Sequence, residues 1–123
     1  QAGIPLTLRG VARSLTFVTG HTQDGRLDLD FAALARPGQT LAVYMGVVTL
    51  PALREGLVAA GLPANTPAAM IERGGTPQQR VLRGSLASVA IEAPDWASGG
   101  PALLLLGEAV ALTAGERALA YAA

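Results

Sequence analysis

The chain has 123 residues, half of them hydrophobic, with 15% charged residues and a formal net charge of zero. That length suits one domain, burying about two thirds of the surface its unfolded chain exposes. With no net charge and no lysine there is no broad field to draw nucleic acid or an anionic membrane, so neither is expected as a partner. Absence of cysteine removes disulfides and thiolate chemistry, and the lone His21 does not assemble a zinc site, so no metal is expected. The opening residues do not read as a secretory leader, and the apolar stretch from Pro101 to Leu112 is broken by Gly107 and Glu108 and too short to span a bilayer.

In chain order, Gly3 to Gly10 opens without a strand or helix before it, so the start reads as mid-protein. Ser14 to Gly20 is rich in β-branched and aromatic residues and closes on glycine, which predicts a strand. A polar loop from His21 to Arg26 follows, then a short helix over Asp30 to Ala35 with Asp30 as its N-cap, stopped by Pro37-Gly38. Leu41 to Tyr44 is continuously apolar, as in an internal strand covered on both faces, and the segment ends at Met45-Gly46 before a helical pattern. Leu53, Leu57, Val58 and Leu62 recur at helical intervals, with Thr49 or a neighbour capping, Pro51 in the first turn and Gly61 at C′.

Ala68 to Glu72 and Gln79 to Leu86 are read as the strands of a hairpin whose turn takes positive φ at Gly74 and Gly75. Ser88 to Trp96 suggests a helix shortened by Pro94, Ala102 to Val110 a last buried strand, and Gly115 to Ala123 an alanine-rich tail with helical character. These elements give an α/β (α+β-like) domain: a mixed, largely central five-stranded sheet flanked by two to four helices, with Leu41–Tyr44 and Ala102–Leu106 in the middle. Two bends stand out for ligand chemistry, the one after Met45 and the glycine turn within Ile71 to Arg80. Strand ends and glycines present main-chain N–H and C=O groups that can grip a small polar ligand, and in open sheets ligands gather at the carboxyl ends of strands.

Taken together, Gly3-Ile4-Pro5-Leu6-Thr7 with Arg9-Gly10, Phe17-Val18-Thr19-Gly20-His21, Ala33 to Leu41, Tyr44-Met45-Gly46 and the Gly74 to Arg80 turn resemble the carboxyl-terminal domain of the uroporphyrinogen-III C-methyltransferases, in the tetrapyrrole methylase family. The resemblance covers nearly the whole chain. It implies the second domain of the tetrapyrrole methylase fold, and a cytoplasmic enzyme using S-adenosyl-L-methionine to methylate uroporphyrinogen III, giving precorrin-2 for sirohaem and cobalamin. It implies also a homodimer, and an amino-terminal domain before Gln1 that carries the glycine-rich loop and the acid–base residues, so that this chain alone is inactive. The same half closes the bifunctional sirohaem synthases, and this half does not separate the two. A sibling methylase of another corrinoid precursor, or a non-catalytic binding or dimerisation module, are the alternatives.

Carried over residue by residue, the resemblance places Met45 and Gly74 against S-adenosyl-L-methionine and Arg9 against a substrate carboxylate. An arginine is chemically apt for that, since its planar fork matches a carboxylate. Leu8 stands where the family has a histidine, and Gln78 where it has an arginine, which removes a polar group and a charge from the substrate side. No catalytic residue is expected within the chain. His21 reads as a packing or surface histidine, or as the one side chain able to do acid–base work near neutral pH. Trp96 reads as a lid over an apolar face or as a stacking surface for a ligand.

Overall fold

The computed structural model describes residues 14–20, 22–23, 26–27, 29–45, 47–99 and 102–111. Its strands are β1 (Ser14–Gly20), β2 (Thr22–Gln23), β3 (Arg26–Leu27), β4 (Gln39–Met45), β5 (Pro67–Glu72), β6 (Arg80–Ser85) and β7 (Ala102–Leu106). The helices are α1 (Phe31–Leu34), α2 (Leu50–Ala59) and α3 (Leu86–Trp96). Five strands form one mixed sheet in the order β1-β4-β7-β5-β6, with β1 parallel to β4 and the other pairs antiparallel. The all-apolar β7 therefore takes the central position, with the mostly apolar β4 and β5 on either side of it. The polar loop expected after β1 instead carries the two-residue antiparallel ladder β2–β3.

Side chains alternate between the two faces of the sheet. On one face Leu41, Val43, Met70, Leu104 and Leu106 meet Leu50, Leu53 and Leu57 of α2 and Leu86, Val89 and Ala93 of α3 in the main core. Among the described residues the other face is covered only in part: Ala42, Ala69 and Leu105 lie beneath Val110, while Ile71, Val81 and Leu103 remain half-buried. The covering residue belongs to a 3-10 turn, Glu108–Ala111. Coverage of β4 on both faces thus extends over Leu41–Val43 and stops at Tyr44, which is 48% exposed.

Local chemistry explains the element ends. Asp30 caps α1 by accepting from the Ala33 N–H at 3.3 Å. Gln39 at the start of β4 donates to the Ala33 and Leu34 carbonyls at 3.2 and 3.0 Å and accepts from the Thr16 hydroxyl at 2.8 Å, so one side chain ties the end of α1 to β1. α2 closes in a Schellman motif: Leu62 N–H donates to Leu57 C=O and Gly61 N–H to Val58 C=O, with Gly61 at φ +110°.

Several expectations are corrected. The second hairpin strand stops at Ser85, and the helix starts at Leu86 rather than Ser88. Ser85 and Ser88 form a reciprocal cap in which each side chain accepts the other's backbone N–H. Pro94 sits in the last turn of the eleven-residue helix, where the N–H it lacks removes a single hydrogen bond instead of breaking the element. The last strand ends at Leu106, not Val110, because Gly107 turns the chain at φ +142° with its N–H donating to Pro67 C=O; a Cβ there would lie 2.9 Å from the Gln39 carbonyl. Positive φ in the hairpin turn falls on Arg73 (+55°) and Gly75 (+78°), not on Gly74. The segments Gly3–Gly10 and Gly115–Ala123 lie outside the described residues.

Candidate active site

The register brings one row of residues across the end of the sheet: Gly20 of β1 pairs Met45 of β4, Met45 pairs Ala102 of β7, Ala102 pairs Glu72 of β5, and Glu72 pairs Arg80 of β6. Both bends singled out in the sequence leave from this row. With strands about 4.8 Å apart, the backbones of Met45 and Glu72 are two spacings, about 10 Å, from each other. Gly74 follows two residues beyond Glu72, so the bends stand at the same end of the molecule.

The hairpin turn from Arg73 to Gln79 holds its own shape. Arg73 C=O accepts from both the hydroxyl and the N–H of Thr76, at 2.7 and 3.2 Å, which keeps Arg73 in a left-handed conformation costing about 1 kcal/mol or more. The Gln79 side-chain oxygen accepts from Gly75 N–H at 2.8 Å, Thr76 C=O accepts from Gln79 N–H, and the Thr76 hydroxyl oxygen accepts from Gln78 N–H. The turn is preorganised without help from a ligand.

Between this turn and the ends of β1 and β4 lies an open concavity of about 460 Å³, lined by Phe17, Tyr44, Ile71, Gly74, Ala102 and Leu103 with the polar side chains of Arg73, Thr76 and Gln78 at its rim. Its volume and its mixture of aromatic wall and few polar groups are those of a small-molecule site. Gly74 lines it, and a Cβ added there would press on Ile71 Cγ2 at 3.1 Å, so glycine lets the turn pass close over Ile71 with its backbone bare. These features fit an adenosyl ligand: a flat apolar surface to receive a ring and backbone polar groups close by.

Behind the turn is a polar cluster that the sequence reading missed. Glu72 is fully buried. One of its carboxylate oxygens accepts from the Ser98 hydroxyl at 2.6 Å and from Arg80 Nη1 at 3.2 Å; the other accepts from Ser98 N–H at 2.8 Å. The Ser98 hydroxyl and N–H, and then Arg80, hold its pKa below the ordinary carboxylate value, against the opposing effect of burial. Arg80 also donates to Trp96 C=O at 2.8 Å and lies over the Trp96 ring, 4.7 Å from its centroid. The Trp96 ring packs on the main core, as the cover over an apolar face expected of it, and the guanidinium lies over it. The available signal was a carboxylate ending an apolar strand eight residues before an arginine, which a seven-residue turn sets opposite each other.

Arg9, His21 and Gly46 lie outside the described residues, and Met45 is located by its backbone at the end of β4. Among the described residues no cluster of His, Asp or Glu is suited to hold a metal ion, and no helix is long and apolar enough to cross a membrane.

The sheet is that of a tetrapyrrole methylase domain. The family model described as Tetrapyrrole (Corrin/Porphyrin) Methylases matches residues 1–90, and the chain belongs to that family. It is 56% identical over 110 residues to the siroheme synthase of Gluconacetobacter diazotrophicus, an alignment that takes in 89% of this chain and 23% of that protein. Among solved structures it is similar to the uroporphyrin-III C-methyl transferase from Thermus thermophilus complexed with S-adenyl homocysteine, at 34% identity and a TM-score of 0.73 over 89% of this chain and 48% of that one. Cobalt precorrin-4 methyltransferase shares the fold at 15% identity, with a TM-score of 0.76 over 89% of this chain and 46% of that one. The chain thus spans about a quarter of the synthase and about half of the methyltransferases. The mixed sheet expected from the sequence is the one these neighbours share.

Proposed function

We propose that this chain is the carboxyl-terminal, ligand-completing part of an S-adenosyl-L-methionine-dependent C-methyltransferase that converts uroporphyrinogen III to precorrin-2, for sirohaem and also for cobalamin. The observation that carries the reading is the shared sheet end: Met45 and the Gly74 turn rise from one row of residues, and Gly74 lines a concavity of about 460 Å³. The sequence likeness to siroheme synthases and to a methyltransferase crystallised with S-adenyl homocysteine supports it. The cofactor supplies the activated methyl group. The chain's own residues bind and orient: Met45 and the backbone at Gly74 hold the adenosyl portion, the Phe17–Tyr44 wall keeps water from one side of it, and Arg9 pairs with a substrate carboxylate.

The acid–base groups and the other wall of the cleft belong to an amino-terminal domain of the same protein, which works as a cytoplasmic homodimer; this chain by itself is inactive. A purely structural module, without ligand, has less in its favour because this chain is similar to siroheme synthases and to a uroporphyrin-III C-methyl transferase.

Calorimetry on the full-length protein tests the assignment. S-adenosylhomocysteine binds the wild type, and Met45→Ala or Gly74→Trp weakens binding by about tenfold or more, the equivalent of losing one good contact of about 1.4 kcal/mol. Unchanged affinity in both variants rejects these contacts.

A further inference from the structure

The turn that carries Gly74 is a small rigid body, and its two stems are clamped by side chains. Five hydrogen bonds within residues 73–79 fix its internal shape, so where it sits relative to the concavity is decided at Glu72 and Arg80. These two are register partners, the last residue of β5 and the first of β6. Their ion pair at 3.2 Å adds a side-chain link to the backbone pairing, and neither residue lines the concavity.

The clamp reaches further than the hairpin. A buried carboxylate is stable only when its oxygens are satisfied by donors. Glu72 draws its donors from Arg80 and from Ser98, in the segment between α3 and β7. Arg80 in turn is held by the carbonyl and the ring of Trp96, the last residue of α3. Hairpin stem, helix end and the approach to Ala102 and Leu103 are thus tied together through the Glu72–Arg80 pair, and those last two residues line the same concavity as the turn.

We propose that Arg80 is a positioning residue: braced between the buried Glu72 carboxylate and Trp96, it sets the Gly74 turn and the entry to β7 at the spacing that grips the adenosyl ligand. It touches no ligand, and its effect passes through the turn. Both hydrogen bonds leave one guanidinium nitrogen, Nη1, so lysine at this position can keep a charged donor facing Glu72 but lacks the planar face that lies over the indole.

The assignment rests on Gly74 being a ligand contact, so the test has two arms on the full-length protein. Hydrogen exchange is read in the peptide covering Arg73–Gln79 and, as reference, in α2; S-adenosylhomocysteine binding is read by calorimetry. Arg80→Ala speeds exchange in the turn and weakens binding by about tenfold or more, the scale of a hydrogen bond to a charged group, while α2 exchanges at its wild-type rate. Arg80→Lys recovers part of both. Wild-type exchange in the turn of Arg80→Ala overturns the proposal, as does acceleration spread evenly over turn and α2, which marks a general loss of stability. Faster exchange in the turn with unchanged affinity refutes positioning while leaving the bracing intact. If the wild-type protein fails to bind S-adenosylhomocysteine, the functional reading falls, and the exchange arm still decides whether Arg80 braces the turn.

Discussion

Glu72 concentrates the electrostatics of the described residues in one side chain. It is fully buried yet stays charged, because the Ser98 hydroxyl and N–H and the Arg80 guanidinium all favour the carboxylate. Its pKa is lowered on folding, so the folded state binds fewer protons than the unfolded chain at mildly acid pH. The stability from this group is therefore fully present above the ordinary value of 4.5 and is lost as pH falls below that value through the lowered native pKa. Glu72→Gln removes the titrating group and puts an amide –NH₂ where an acceptor is needed. The variant is expected to be less stable than wild type at neutral pH, and its urea midpoint to fall less between pH 5 and the acid limit, the onset following from the ordinary 4.5. Parallel curves for the two proteins would mean that Glu72 is not the group linking folding to acid.

At the level of elements, what the sequence made legible was what short-range chemistry controls. The β-branched run Ser14–Gly20, the Asp30 cap and the Leu50–Ala59 helix with Gly61 behind it each depend on neighbours within a few residues, and the strands bracketing the glycine turn follow from alternation. What escaped depends on partners remote in sequence. Gly107 ends β7 because of the Gln39 carbonyl, and the Glu72–Arg80–Ser98 cluster exists only once three segments meet. Of the site, Gly74 could be named through family resemblance, but the aromatic wall of Phe17 and Tyr44 comes from the parallel pairing of β1 with β4, which no local pattern announces. The start of α3 was missed for a subtler reason. Its reciprocal cap uses serine at both ends, and Ser-x-x-Ser lacks the acidic or amide residue that usually marks a capping box. Ser85→Ala is expected to cost about 1 kcal/mol of stability in urea unfolding. Gly84→Ala should act on the same cap, since the new Cβ would collide with the Ser88 hydroxyl. The double variant then loses less than the two single losses added together, and strict additivity would show that Gly84 matters for another reason.

For the whole molecule, the uneven covering of the sheet carries the argument. Alternation puts Leu15 and Phe17 of β1 on the same face as Ala42 and Tyr44 of β4, since Phe17 pairs Ala42. Leu15, Phe17 and Tyr44 are 42%, 61% and 48% exposed, and they form one apolar patch continuous with the concavity. Val48 and Ile91, at 89% and 70%, lie on the 3-10 turn after β4 and on α3, away from that strand face, within the ordinary scatter of apolar groups on a protein surface. A contiguous patch marks a surface that meets something else. Since the chain spans 48% of the methyltransferase it resembles, the proposed occupant is the remainder of the same protein, closing over the concavity from the Phe17–Tyr44 side. Hydroxyl-radical footprinting of the full-length protein measures this directly, with Val48 and Ile91 as internal references for open surface. After correction for intrinsic reactivity, Phe17 and Tyr44 are expected to be modified several-fold more slowly than the references, and Tyr44 more slowly still when S-adenosylhomocysteine is bound. Equal rates at all four residues would leave the patch bare in the complete protein, and a ligand on the Gly74 turn would then lie open to water along one flank.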